Sequence, residues 1–364
     1  MATPILQPWL DAEPYRVTLA TETHQIQRLA IVMADLLPAA EKNCHPGFFL
    51  ASLTKEWKPY IAVVRQRRNI IGMVYGKERR IRGIGTGVVY IDTTLGAPLL
   101  GSALVRERVF HSAMRAFLHH PGMRALRLLV SPSGPEISGL QAYAGAADNV
   151  ELSSAPAENH SVLRLPLSYD AFLEQLGRHT RRNFRYYRRK SAAAGHYFVS
   201  QVPQKAFQYG AWQMIQKGVP GVDLEAVKRV SKMLSQAPDP LIMGLRDSSG
   251  VWLSLAAGWY ERGRAVLMMQ LNDTDAHRKA SLSTVLRGYM VEHLIRYHVR
   301  ELVCCGGIGE PLRHLATALP AKSIHLDKRL PLWQMLRWSV RAASKFLPPA
   351  IAAQAEWVAM PKVA

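Results

Sequence analysis

The chain has 364 residues and is strongly basic, with 46 Lys and Arg against 27 Asp and Glu and a formal net charge of +19. This length exceeds one typical hydrophobic core and predicts two domains, while a hydrophobic share of 48% excludes a disordered chain. The charge indicates an anionic partner, which could be a polyanion, a phosphorylated cofactor or an anionic lipid surface.

Neither metal binding nor secretion is predicted. The sequence contains no CxxC or HExxH motif, and its 13 His show no ligand spacing. Its 3 Cys do not form a disulfide framework and favour a reducing compartment. The first residues lack the basic and then apolar order of a secretory signal. We therefore expect a cytoplasmic protein without a metal cofactor.

The first half of the sequence has the pattern of one α/β series. Apolar residues at helical spacing predict a helix over 24–37, and strand-like runs follow at 60–64, 70–75 and 87–91. A second helical pattern then leads into one more strand; these last two elements are predicted at 104–118 and 126–130.

The second half repeats this order. The elements predicted there are helices at 169–194, 204–217 and 224–235, strands at 241–245, 253–260 and 265–271, a helix at 282–297 and a strand at 301–305. A polar stretch around Pro156 separates the two series. The sequence therefore predicts an α/β (α+β) fold of two tandem units, each a mixed twisted sheet flanked by helices.

The most basic segment is RHTRRNFRYYRRK, residues 178–190, in which seven of thirteen residues are Arg or Lys. At about 100° per residue its arginines gather on one side of a helix, and Phe184 lies on the other. The planar guanidinium group suits phosphate recognition, although a solvated basic face is the alternative interpretation. The candidate anion-binding residues are Arg181, Arg182, Arg185 and Arg188.

A second candidate site follows the strand at 265–271, where a short loop leads into the next helix. A helix N-terminus offers backbone N–H groups and a positive dipole end to a pyrophosphate. The alternative is that Ser281 only caps a surface helix. The candidate cofactor-binding residues are Arg278, Lys279, Ala280, Ser281, Leu282 and Ser283.

With these two segments the chain resembles the GNAT superfamily of acyl-CoA-dependent acyltransferases. Arg278, Ser281 and Ser283 match its phosphate loop, in which the last two positions are more often Gly or Ala. The segment FLEQLGRHTRRNFRYYRRKSAAAG resembles the start of the catalytic domain in the FemAB-like, two-domain branch. That branch includes acetyltransferases associated with cellulose and exopolysaccharide biosynthesis, and the resemblance covers nearly the whole chain.

The resemblance implies a degenerate N-terminal GNAT-like unit at 1–155 and a catalytic unit at 156–325. It also implies acetyl-CoA or another acyl-CoA as co-substrate, attacked directly by an amine or hydroxyl of a small-molecule or polymer acceptor. The expected base is Glu310, with Asp273 and His314 as the other ionisable candidates. Leu312 stands where the family often has a tyrosine.

Two alternatives to this function stay open. FemAB-like relatives take an aminoacyl group from tRNA, and the basic helix could hold an RNA backbone. In the second alternative, the chain is a catalytically degenerate scaffold that binds polyanions.

The remaining residues, 326–364, form a basic tail with Arg337, Arg341 and Lys345 four residues apart. An amphipathic helix of this kind lies in a lipid headgroup layer or packs on its own domain. The first option predicts peripheral contact with the inner face of the membrane.

Overall fold

In the computed structural model of the chain, the described residues are 15–34, 45–94, 103–134, 137–138, 140–141, 150–218, 223–237, 239–261, 263–273 and 280–328. They divide into two compact units. The first unit takes its residues from Met1–Ile26, Lys55–Ala157 and Ala321–Ala364, and the second takes them from Gln27–Thr54 and Glu158–Pro320. Both units are discontinuous in sequence.

The first unit is a mixed sheet with one long helix. Its strands are β1 (Arg16–Ala20), β2 (Trp57–Gln66), β3 (Asn69–Ile81), β4 (Ile84–Asp92) and β5 (Ala125–Val130). The first four strands pair antiparallel in order, and β4 and β5 are parallel. Between them runs helix α3 (Ala103–His119), which follows α1 (Thr23–Ala34) and α2 (Pro46–Ser52) in the chain.

The last described strand, β12 (Ala316–Lys328), completes this sheet through residues 322–327, which pair antiparallel with β5. An ion pair connects the same two strands, with Arg127 Nη2 2.8 Å from Asp327 Oδ1 and Arg127 Nη1 3.1 Å from Asp327 Oδ2. The Arg127 side chain is only 4% exposed. Leu126 and Leu128, the strand neighbours of Arg127, pack instead with Phe110 and Phe117 of α3 in a buried core.

The second unit repeats the strand arrangement of the first. Its strands are β6 (Val150–Arg164, from residue 158 onward), β7 (Tyr197–Val199), β8 (Pro240–Arg246), β9 (Trp252–Glu261), β10 (Arg264–Asn272) and β11 (Glu301–Cys305). Strands β7 to β10 pair antiparallel in order, β10 and β11 are parallel, and β11 pairs antiparallel with β6. In both units a helix therefore connects two parallel strands, β4 with β5 in the first and β10 with β11 in the second.

Five helices belong to the part of the second unit after residue 158 that the structure describes. They are α4 (Tyr169–Gln175), α5 (Arg178–Ala193), α6 (Gln204–Gln216), α7 (Leu224–Leu234) and α8 (Leu282–Arg296). Ala256 of β9 packs in a core with Phe184 of α5, whereas its neighbour Ala257 packs in a core with Phe207 of α6. Successive strand residues point to opposite faces, so this sheet is covered by helices on both sides.

The mixed α/β class predicted from the sequence is confirmed. Several details differ from the prediction, which also lacks β1, α2 and β7. The helix predicted over 169–194 is two helices, because Ser168 caps α4 and Gly177 starts α5 with an extended ψ of 150°. The polar residues 153–160 lie within β6, and residues 326–328 of the predicted tail lie within β12. The rest of the tail lies outside the described residues.

Candidate active site

Strands β10 and β11 of the second unit are paired over only part of their length. Their parallel pairing runs from Arg264 with Glu301 to Leu267 with Cys304. Strand β10 then continues to Asn272, paired with β9 on its other side. Its last residues therefore border a cleft between two diverging parallel strands. In the first unit, by contrast, pairing with β5 extends to Asp92, the last residue of β4.

An irregularity in β10 lies where the strands diverge. The register with β9 shifts between Leu267 and Met269, which places an extra residue in β10. Gly258 of β9 lies opposite, and a Cβ there would overlap the carbonyl oxygen of Val266. A β-bulge bends its strand and redirects the side chains beside it. Gly258 permits the close backbone approach that this bulge needs.

A cavity of about 100 Å³ lies in this cleft. Its walls come from β10, α8, β11 and the loop after β11. The lining residues are Leu267, Met268, Met269, Gln270, Arg287, Met290, Leu302, Cys304, Cys305, Gly307, Ile308 and Leu312. Most of its lining residues are apolar, and its polar side chains, Gln270 and Arg287, come from β10 and α8. Small-molecule sites commonly combine apolar walls with a few placed polar groups.

Arg287 of α8 connects the walls of this cavity. Its Nε donates a hydrogen bond to Gln270 Oε1 at 3.0 Å, and its Nη1 donates to the carbonyl oxygens of Glu310 at 3.1 Å and Gly309 at 3.4 Å. Burial lowers the pKa of the guanidinium, but an arginine keeps its charge at neutral pH. The cavity wall therefore carries a positive charge held by neutral oxygens.

The loop after β11 is also held from β6. The N–H of Ile308 donates to Ser161 Oγ at 3.3 Å, and the N–H of Gly306 donates to His160 Nδ1 at 3.4 Å. Both bonds fix the loop that contributes Gly307, Ile308 and Leu312 to the cavity. Leu312 is fully buried, so an aliphatic side chain occupies the position that the family resemblance assigns to tyrosine.

Cys304 and Cys305 end β11 at the cavity wall. Burial raises the pKa of the Cys304 thiol to about 11. The thiol is therefore protonated at neutral pH, and a thiol in that state is a poor nucleophile. A covalent mechanism through Cys304 has no support from this geometry.

The predicted cofactor loop precedes α8. Arg278 and Lys279 lie outside the described residues. Ser281 adopts a left-handed backbone with φ 48° and ψ 50°, and its hydroxyl bonds Thr284 Oγ1 at 3.0 Å instead of capping a helix N–H. Leu282 is fully buried, and Ala280 and Ser283 are half-buried. The backbone N–H groups at the start of α8 therefore have no side-chain cap from Ser281.

The three ionisable candidates do not line the cavity. Asp273 lies at the end of β10 with its carboxylate nearly buried, 2.7 Å from Lys217 Nζ. His314 is exposed in a short 3₁₀ turn. Glu310 is exposed as well, but it belongs to the cavity loop and its carbonyl binds Arg287. Their catalytic roles stay predictions.

The basic helix α5 presents a different arginine set from the one chosen on the sequence. Arg188 is held by Glu292 Oε2 at 2.5 Å and lies over the Tyr289 ring at 4.1 Å, while Arg181 bonds the Leu176 carbonyl at 3.4 Å. Both arginines are partly buried between α5 and its neighbours. The exposed stripe of α5 consists of Arg178, Arg182, Arg185 and Arg189. Of these four, Arg182 and Arg185 belong to the set predicted from the sequence.

Sequence reasoning missed Arg287, Gln270 and Arg189. Arg189 follows from the helix itself, because at 100° per residue it lies between Arg178 and Arg182. Arg287 had a weaker signal, since it interrupts an apolar helix directly after Leu286. The sequence contains no signal that singles out Gln270.

The described residues contain no group of three or more His, Cys, Asp or Glu side chains that could hold a metal ion. None of the helices in the described part of the chain is long and apolar enough to cross a membrane.

No protein-family model matches the sequence, and no curated protein is similar to it in sequence. Among solved structures, FemX matches with a TM-score of 0.53 and 10% identity over 87% of this chain and 99% of that chain. A conserved protein of unknown function from Bacteroides thetaiotaomicron VPI-5482 matches with a TM-score of 0.54 and 10% identity over 86% of this chain and 100% of that chain.

Another neighbour is a tandem GNAT protein from the clavulanic acid biosynthesis pathway, with a TM-score of 0.46 and 14% identity over 87% of this chain and 99% of that chain. The structural neighbours thus include GNAT-fold proteins and FemX. At identities this low, the likeness to FemX and to the Bacteroides protein shows the fold alone.

Proposed function

We propose that the protein is an acyl-CoA-dependent N- or O-acyltransferase, with donor and chemistry in the second unit. The observation that carries the proposal is the cleft between β10 and β11, because it combines a cavity and a strand bulge. The helix that lines it, α8, begins at Ser281, whose side chain does not cap it. The thioester would enter the cavity, and the pyrophosphate would bind at the N-terminus of α8.

The cavity, with a volume of about 100 Å³, accommodates an acetyl group, which is the acyl group that the family resemblance implies first. An amine or hydroxyl acceptor would attack the thioester directly, with Glu310 as the proposed base. We propose a small-molecule or polymer acceptor, and the resemblance to the polysaccharide-associated branch makes a surface polymer the first class to screen.

Calorimetry with acetyl-CoA tests this proposal. We expect the wild-type protein to bind and Ser281→Glu to bind more than about tenfold weaker, because the new carboxylate repels phosphates at the helix start. Gln208→Glu, which adds the same charge to an exposed position of α6, should bind like the wild type. An absence of wild-type binding to acetyl-, propionyl- or butyryl-CoA would refute the proposal.

The exposed arginine stripe of α5 favours a second candidate, a transferase that takes an aminoacyl group from tRNA. Arg178, Arg182, Arg185 and Arg189 lie within about 60° of the helix circumference. Guanidinium groups at this spacing suit a phosphate backbone, and each phosphate contact adds to the salt dependence of binding.

If tRNA is the donor carrier, replacing Arg182, Arg185 and Arg189 by Gln should lower the slope of log K against log salt by about 3. The matched control replaces Lys205, Lys228 and Lys232, which are exposed on α6 and α7, and should leave the slope unchanged. An equal decrease of this slope in the two triple variants, or an absence of tRNA binding by the wild type, would exclude a role of the stripe in holding RNA.

A further inference from the structure

Arg287 carries a charge that its contacts do not neutralise. Its three hydrogen-bond partners are neutral oxygens: the amide oxygen of Gln270 and the carbonyl oxygens of Gly309 and Glu310. Placing a charge at a mostly apolar cavity wall costs free energy. That cost is offset when a ligand brings negative charge to the same wall, so Arg287 is suited to an anionic atom inside the cavity.

In a donor bound in this cavity, the negative charge can come from the acyl group itself. A space of about 100 Å³ accommodates an acetyl thioester, and its single oxygen becomes negative during the reaction. This step rests on the proposed function.

We propose that Arg287 stabilises the oxyanion that forms on the acyl carbonyl oxygen during transfer. The acceptor nitrogen or oxygen attacks the carbonyl carbon and forms the new bond, and the π electrons move to the carbonyl oxygen beside the guanidinium. Collapse re-forms the carbonyl and breaks the C–S bond, and CoA leaves as thiolate. The proton lost by the acceptor passes to the proposed base, and protonation of the thiolate completes the balance.

The rest of the cavity wall is consistent with this assignment. Leu312 has no proton or hydrogen bond to offer, and the Cys304 thiol is neutral because burial raises its pKa to about 11. The hydrogen bonds that Arg287 donates to Gln270 and to the carbonyl oxygens of Gly309 and Glu310 fix the guanidinium before a substrate arrives. Charge that is oriented in advance stabilises a developing oxyanion without reorganisation.

The test is isotope-edited infrared spectroscopy of acetyl-CoA labelled with ¹³C at the carbonyl. In the wild-type complex we expect the carbonyl stretch at lower wavenumber than in free acetyl-CoA, since a polarised carbonyl has a weaker C=O bond. In Arg287→Met the stretch should return towards the free value, and Arg287→Lys should keep part of the shift. Arg296→Met is the matched control, because Arg296 lies on the same helix but is 72% exposed and bound to Glu292.

With hydroxylamine as a small acceptor, Arg287→Met should lower kcat by about 10²–10³-fold, with a KM for acetyl-CoA within a few fold of the wild-type value. If Arg287→Met binds acetyl-CoA with the wild-type carbonyl frequency, the inference is wrong. If Arg287→Met does not fold, the test uses Arg287→Lys instead. An Arg287→Lys protein that binds acetyl-CoA but shows no shift of the carbonyl stretch would overturn the inference. A wild-type protein that does not bind acetyl-CoA would instead refute the proposed function.

Discussion

Asp327→Ala is expected to lower the free energy of unfolding by about 3–5 kcal/mol. The substitution leaves Arg127 charged and 4% exposed, without the carboxylate that accepts both of its terminal nitrogens. The pair lies where β12 joins β5, across 200 residues of sequence. The loss should therefore loosen this edge of the first unit, which can be measured by urea unfolding followed by circular dichroism.

A surface pair in the same unit provides the control. Arg79 Nε lies 3.8 Å from Glu56 Oε2, and the side chains are 36% and 66% exposed. Exposed ion pairs contribute up to about 1 kcal/mol, so Glu56→Ala should have a small effect. A similar loss of stability in the two variants would show that the Arg127 pair does not stabilise the strand contact as described.

Leu312→Ala is expected to change both stability and acyl-chain selectivity. Leu312 is fully buried in the core of the second unit, and removing a buried leucine side chain costs about 2–5 kcal/mol. The same side chain forms one wall of the cavity. The extra space should therefore accept about two more methylene groups, each of which is worth about 0.8 kcal/mol when buried.

Calorimetry with acetyl-CoA and butyryl-CoA measures the change in selectivity. In Leu312→Ala, the affinity for butyryl-CoA relative to acetyl-CoA should rise on the order of tenfold. Leu294→Ala is the control, because Leu294 of α8 is fully buried in the same core but does not line the cavity. It should lose similar stability and keep the wild-type selectivity. An unchanged ratio in Leu312→Ala would place the acyl group elsewhere.

Periodicity alone predicted the main α/β elements. The helix predicted at 282–297 is α8 (Leu282–Arg296), and the strand predicted at 301–305 is β11 (Glu301–Cys305). Both elements have long, regular apolar patterns, which carry a strong local signal. Strand β12 was missed although residues 323–327 alternate polar and apolar side chains, because this run is short and its partner β5 is distant in sequence.

The candidate site was only partly predictable. The loop before α8 could be found because the order of strand, short loop and helix is visible in sequence. The cavity could not be predicted, because it depends on where two strands diverge and on contacts between Arg287, Gln270 and the loop at Glu310. Such contacts join residues from separate elements, and a single sequence carries no record of them.

The most direct test of the account is hydrogen exchange of the whole protein, measured by mass spectrometry with and without acetyl-CoA. We expect protection of residues 264–273, 280–290 and 301–312, which form β10, the start of α8 and the loop after β11. Residues 84–92 and 125–130, the corresponding parallel strands of the first unit, should be unaffected. Protection confined to the first unit, or none at saturating acetyl-CoA, would contradict a donor site between β10 and β11.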